Sequence, residues 1–248
     1  MKKYILMRGD YVARASKNKG GKNNFKNILM VITFIYFLFI IFGRNLNNIY
    51  MIWNLLLAWI PLEISYFFKK VSTNKNKKKY SQTLIILLSV IWIISYPNAP
   101  YIITDLAHLN GNKYFEIINV NTEGTKFIFN NDLNVWTDFF YIFIAVWISS
   151  IISFASLYIN KQIIMEKYNN IFSWLFLFIV SIFSGFNIYL SRFENFCSWN
   201  VIIAPYKTIV LISKNINKIT FKFSMIFGGI IIIIYMITNL LVNKLKDE

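Results

Sequence analysis

The sequence predicts an all-α fold, a polytopic membrane bundle of about six transmembrane helices with the third kinked or broken at Pro97–Pro100. Three observations predict it. The chain is 56% hydrophobic and 19% aromatic, with only 15% of its residues charged, where a soluble domain carries about 25%. Those few charges still sum to +15, and an apolar chain that is also basic fits an integral membrane protein with its cations gathered in loops. Apolar runs long enough to cross a bilayer recur along the chain, since a hydrocarbon core about 30 Å thick needs roughly 20 mostly apolar residues as a helix.

Residues 1–24 form a basic tail with seven Lys or Arg. No small-residue cleavage site closes the apolar run that follows, so the first segment, 25–42, is expected to be a permanent span. Further spans are expected at 49–68, 84–103, 139–159, 171–190 and 224–242, followed by a short C-terminal tail at 243–248. The stretch "VIIAPYKTIVLI" at 201–212 is too short to cross and is broken by Pro205 and Lys207. It reads as an interfacial or re-entrant piece. One cysteine, Cys197, excludes an intrachain disulfide framework and any multi-cysteine metal site.

Orientation follows from the Lys/Arg bias of the loops. With the N-terminus inside, the inner segments carry 18 Lys and Arg and the outer ones 8. Both termini are therefore expected to be cytoplasmic, in a plasma-membrane protein. Five of the outer eight fall in 191–223 and work against the bias. The inner run "KKVSTNKNKKK" at 69–79 reads as a topology signal.

The third span is where the pattern breaks. From Leu84 to Tyr96 there are 13 residues, about 20 Å of helix, too short to cross. Proline disfavours helical geometry at the residue before it, so Tyr96 and Ala99 are expected to be extended. The expected picture is a helix ending near Tyr96, a structural kink at Pro97 and Pro100, and a new helix opening at Pro100 with Asn98 capping its amides. If that helix continues as α, Asn98, Tyr101, Asp105 and His108 share one face. Other polar residues reach the same side of the membrane: Asn54 in the second span, Asp138 at the start of the fourth, and Asn187 and Arg192 at the end of the fifth. Trp53, Trp136 and Trp199 flank them, as indoles at an interface do. Ionisable groups in spans are costly and mark function by default, so these residues form a candidate outer-face pocket. In the fourth span, Ala145, Ser149, Ser153 and Ser156 recur at helical spacing and read as a packing stripe.

Four stretches, "WNLLLAWIP" (53–61), "YPNAPYIITDLAHL" (96–109), "WTDFF" (136–140) and "GFNIYLSRFENFCSWN" (185–200), taken in this order, resemble the bacterial integral membrane family known as domain of unknown function 1361. The resemblance covers roughly residues 30–215, and its most specific mark is the Pro-Asn-Ala-Pro-Tyr run followed by Thr-Asp-Leu-x-His-Leu. It implies a multi-pass fold and a membrane location, and no chemistry. Asn200 stands where the family tends to have an acid, and Cys197 where it tends to have a polar residue.

Three function classes compete. A binding or assembly protein would use the outer pocket to engage an envelope lipid or a protein partner. A small-solute transporter or channel would use the kinked helix to shape a pathway, but no internal repeat is visible. An outer-leaflet enzyme would use Asp105, His108 and Asp138 as a general base or as a metal site of one imidazole and two carboxylates. The sequence has no phosphate-cradling glycine loop, no paired-histidine zinc helix and no Gly-x-Ser-x-Gly, and it names no cofactor. The binding reading ranks first, with the lipid bilayer as the first partner and a homo-oligomer a further candidate. The basic residues follow a topology pattern without a recognition motif, so nucleic acid is not an expected partner.

Overall fold

A computed structural model describes residues 24–43, 48–72, 82–109, 114–120 and 124–247. The basic tail before residue 24, most of the 69–79 run and the tip of the 110–135 loop lie outside the described residues.

Among the described residues, six helical segments are long and apolar enough to cross a membrane. The first, α1 (Asn24–Phe42), belongs to a unit distinct from the rest of the chain. The second unit opens with α2 (Tyr50–Ser72) and α3 (Gln82–Ser95). A short α4 (Asn98–Tyr101) and a 3₁₀ segment (Ile102–His108) complete the third span. After a hairpin come α5 (Leu133–Lys167) and α6 (Asn170–Phe193). Two short helices, α7 (Asn200–Ile203) and α8 (Pro205–Lys214), precede the last span, α9 (Lys218–Asp247). The helices run past the expected apolar windows because their polar ends continue the winding. At 35 residues, α5 is about 50 Å long, well beyond the hydrocarbon core.

The hairpin is a departure from the all-helical expectation. Strands β1 (Phe115–Val120) and β2 (Gly124–Phe129) pair antiparallel, with Phe115 opposite Phe129 and Ile117 opposite Phe127. Those four side chains share one face, where cross-strand aromatic pairs stabilise a ribbon. Tyr114 stacks edge-on against Trp136 and Phe139, and Trp136 Nε1 donates to Asn130 O at 2.7 Å, fastening the hairpin to the start of α5. Asp132 caps that helix by accepting from the Asn134 amide at 3.0 Å.

In the second unit, apolar side chains such as Ile86, Trp147, Phe172 and Ile226 point outward, while serines such as Ser65, Ser149, Ser153 and Ser156 are buried among the apolar residues of the core. A soluble protein does not expose apolar surface on this scale; lipid-facing helices do. The expected packing stripe on α5 is buried, and it also carries a hydrogen-bond ladder. Ser153 Oγ meets Tyr96 OH at 3.0 Å. Ser156 Oγ accepts from Trp92 Nε1 at 2.9 Å and meets Ser65 Oγ of α2 at 2.9 Å. One turn on, Asn160 Nδ2 donates to Ser65 Oγ at 2.6 Å. The ladder ties three spans together through one side of α5, and Ser156 is its busiest rung. Ser156→Ala is expected to cost about 1–3 kcal/mol, because it strands the buried Trp92 N–H. Ser173→Ala, whose hydroxyl bonds only within its own helix turn, is expected to cost less than about 1 kcal/mol. Denaturant titration in detergent micelles compares the two.

The kink stands at Pro97–Pro100, with an internal geometry that differs from expectation. Tyr96 N–H still reaches Trp92 O at 2.7 Å, so α3 winds on through Tyr96. Pro97, at φ −58° and ψ −22°, takes the cap position of α4, and no side chain caps it. The new helix therefore opens at Asn98, two residues before Pro100, and Ala99 is helical instead of extended. A proline φ near −65° suits a helix start, which is why Pro97 and not Pro100 does this work. Ala99 is fully buried and its carbonyl accepts from Ser149 Oγ of α5. Irregular backbone at membrane depth survives when a neighbouring helix satisfies its freed groups, and this hydroxyl does so.

Candidate functional site

Beyond Tyr101 the chain tightens to three residues per turn. In a 3₁₀ helix, side chains three apart eclipse one another, so Asp105 lies under His108 and Thr104 under Tyr101. The expected α-helical stripe thus becomes two adjacent rows, and Thr104 joins the site although a 3.6-residue period left it out. Tightening also turns Asp105 inward, to 1% exposure, while the His108 side chain is 53% exposed.

Arg192, in the last turn of α6, bridges both rows. Its Nη2 donates to Asp105 Oδ1 at 2.5 Å and to Thr104 Oγ1, and Nε reaches Thr104 Oγ1 at 3.1 Å. The guanidinium carbon lies 4.6 Å from the centre of the Tyr101 ring, a cation–π contact. Nη1 stands 3.2 Å from His108 Nε2. A guanidinium offers only donors, so in this contact Nε2 is the acceptor. The second oxygen of Asp105 accepts from Asn54 Nδ2 of α2 at 3.3 Å. Tyr50 packs edge-on against His108 with ring centres 6.0 Å apart, and lies within electrostatic reach of Asp105, Arg192 and Asp138.

The beginning of α2, the end of the third span and the end of α6 therefore meet at one end of the bundle. Among the expected pocket residues, Asn54, Tyr101, Asp105, His108 and Arg192 form a single contact network. Asn98 borders it from the side. Instead of capping a helix, its Oδ1 accepts from Ser198 Oγ at 3.3 Å. Asn187 is buried one turn below Arg192 and accepts from Ser191 Oγ at 3.4 Å. Asp138, partly buried at the start of α5, interacts electrostatically with Tyr50 and Tyr141. Among the described residues, no three His, Cys, Asp or Glu side chains are grouped so as to hold a metal ion, so the one-imidazole, two-carboxylate arrangement is not assembled.

Beside the network opens a cleft of about 210 Å³. Asn54, Asn98 and Tyr101 line it, together with Trp53, Cys197 and Ser198. The loop after α6 supplies the last two. Asn195 turns that loop with φ at 52°, a left-handed conformation that asparagine tolerates, and Phe196 N–H folds back to Leu190 O at 3.2 Å. Sequence reasoning missed Thr104, Ser198 and Tyr50. The first needed the 3₁₀ period and the second the turn at Asn195, and Tyr50 stood at a helix start without a charge to mark it.

Six apolar candidate spans among the described residues, with lipid-like apolar surface outside and buried serines within, define a multi-pass membrane protein. The chain belongs to the family described as protein of unknown function (DUF1361), whose model matches residues 53–234. Among curated proteins and among solved structures, no match was found.

Proposed function

We propose that this protein is a binding protein of the cell membrane, with cytoplasmic termini, whose outer-face cleft holds an uncharged, hydroxyl-rich headgroup such as that of a glycosylated envelope lipid. The observation that carries this reading is the way Asp105 is used. Its two oxygens are engaged by Arg192 and Asn54, so the pair contributes little net charge to the cleft. What the walls then offer a ligand is amide, hydroxyl and aromatic surface from Asn98, Ser198, Trp53 and Tyr101. Convergent neutral polar groups beside flat rings suit a polar ring compound better than an ion. The Lys/Arg bias of the loops supports an outward-facing cleft. The Arg192 bridge also weighs against general-base chemistry, since it occupies the carboxylate that would orient His108.

Cys197 provides the test. It is the chain's one cysteine, it is exposed, and it lines the cleft. An impermeant maleimide is expected to label it in intact cells, and labelling only after lysis would overturn the orientation. Native mass spectrometry of protein drawn gently from its own membrane is expected to show a glycolipid adduct that Asn98→Ala and Trp53→Ala each weaken at least about tenfold, the loss of one good contact. An adduct unchanged by both substitutions, or its absence from the wild type, would overturn the cleft assignment.

A further inference from the structure

A second site lies beside Glu194 at the α6 terminus, built largely by the segment expected from sequence to be interfacial or re-entrant. Helix α8 carries Lys207 and Lys214 seven residues apart, on the face that also bears Val210 and Leu211, and both lysines are exposed. Together with Glu194 and Tyr206 they border an open cleft of about 560 Å³ whose floor is Val210 and Leu211. At Asn215, the residue that ends α8, this cleft meets a second groove of about 250 Å³. The second groove is walled by Ile182, Phe183 and Phe186 of α6 and by Ile216 and Phe221 near the start of α9. Asn215 is buried and held by its Nδ2 donating to Leu211 O at 3.0 Å, so the junction is a fixed point.

The geometry points to an anionic phospholipid as the occupant, its phosphate between Lys207 and Lys214 and an acyl chain in the groove between α6 and α9. Two features argue for it. Two ammonium groups face one carboxylate in the cleft, which favours an anionic head, and the adjoining groove is almost wholly apolar. A ligand that is charged at one end and oily at the other satisfies both; a soluble anion satisfies only the first. The position of the lysines argues likewise. Five of the chain's 26 Lys and Arg lie in 191–223, on the side that the positive-inside bias would keep poor in cations, and a headgroup site gives two of them a reason to be there. The exposed Tyr206 borders the same cleft, as an aromatic at the headgroup and acyl boundary does. This site shares no lining residue with the cleft at Asn54 and Asn98; only the argument from the side on which the lysines lie rests on the orientation in the proposed function.

The full-length protein in nanodiscs of mixed phosphatidylglycerol and phosphatidylcholine, examined by native mass spectrometry, tests it. The wild type is expected to retain phosphatidylglycerol preferentially. Lys207→Gln with Lys214→Gln is expected to reduce that preference about thirtyfold, the effect of two lysines each near an anionic membrane group. Lys222→Gln, a charge loss of half the size outside the cleft, is expected to leave it within about twofold, as a screened surface cation should. Phe221→Asn, at an exposed position in the groove wall, is expected to weaken retention while leaving the lysines in place, and unchanged retention in this variant would remove the acyl chain from the groove. Glycerol phosphate added in excess is expected not to displace the lipid. Equal retention of both lipids by the wild type, an unchanged preference in the lysine double variant, or displacement by glycerol phosphate would each overturn the assignment. The substituted lysines are exposed, so folding is expected to survive, and an unchanged melting temperature in detergent checks this.

Discussion

Arg192→Ala is expected to be among the most destabilising single substitutions in the chain, lowering unfolding free energy by about 3–5 kcal/mol, because breaking a buried ion pair strands the other charge. The reason lies with Asp105. At 1% exposure its carboxylate is shut off from water, and without the guanidinium it keeps the 3.3 Å contact to Asn54 and His108 Nε2 at 3.7 Å. Thr104 and Tyr101 lose the same partner at the same time, so the 3₁₀ segment loses its tie to α6. Asp105→Asn should be milder, since a neutral amide leaves no buried charge, and Arg192 at 20% exposure can still be partly hydrated. The informative variant is the double, Asp105→Asn with Arg192→Met. Replacing both charges by neutral groups of similar size is often close to neutral for stability, so the double is expected to recover most of the single loss. Unfolding titrations of all three in one detergent give the coupling. If the double is as unstable as Arg192→Ala alone, the cation–π and threonine contacts carry the junction and the ion pair does not.

The contrast between Asp105 and its surroundings also shows how much was readable in advance. Span number and order were legible because apolar runs about twenty residues long leave little choice of structure. The third-span break was legible because proline removes a donor and fixes φ. Its internal register was not. Ala99 precedes a proline, and local sterics alone favour an extended residue there. A hydroxyl from α5, 50 positions away in sequence, instead satisfies its carbonyl and lets the helix continue. Likewise, no single-sequence pattern announces a switch to 3₁₀ winding, so Thr104 was passed over while Asp105 and His108 were found by their chemistry. The hairpin was missed for a different reason. "FEIINV" and "GTKFIF" fall between two expected spans and are each too short to cross, although their branched and aromatic residues favour strands. Residues marked by charge were thus found, and residues placed by a neighbour's geometry were not.

The second large effect belongs to a contact between two helices that neither charge nor hydrogen bonding marks. A Cβ added at Gly185 would stand 2.6 Å from Ser224 O and 2.9 Å from Ser224 Cα. Across the same interface, a Cβ at Gly228 would lie 3.0 Å from Ile182 Cα. Ser181 and Gly185 on α6, and Ser224 and Gly228 on α9, are two small-xxx-small pairs set against each other, the arrangement that lets backbones approach closely in lipid. The serines keep their hydroxyls on their own helices, Ser181 to Leu177 O at 2.8 Å and Ser224 to Thr220 O at 2.7 Å, so the seam is tight without cross-links. Gly185→Ala is therefore expected to cost about 1–3 kcal/mol through overpacking, even though alanine is intrinsically the better helix former by about 1 kcal/mol. Gly229→Ala supplies the control, since a Cβ there meets nothing within 4 Å, and the same propensity term should leave it neutral or up to about 1 kcal/mol more stable. Opposite signs for two chemically identical substitutions, read in one denaturant series, would identify backbone approach as the cause. Because α6 carries Arg192 at its far end, Gly185→Ala is further expected to loosen the Arg192 contacts to the 3₁₀ segment and speed labelling of Cys197. Destabilisation with no change in that labelling rate would mean that the seam and the polar end of α6 move independently.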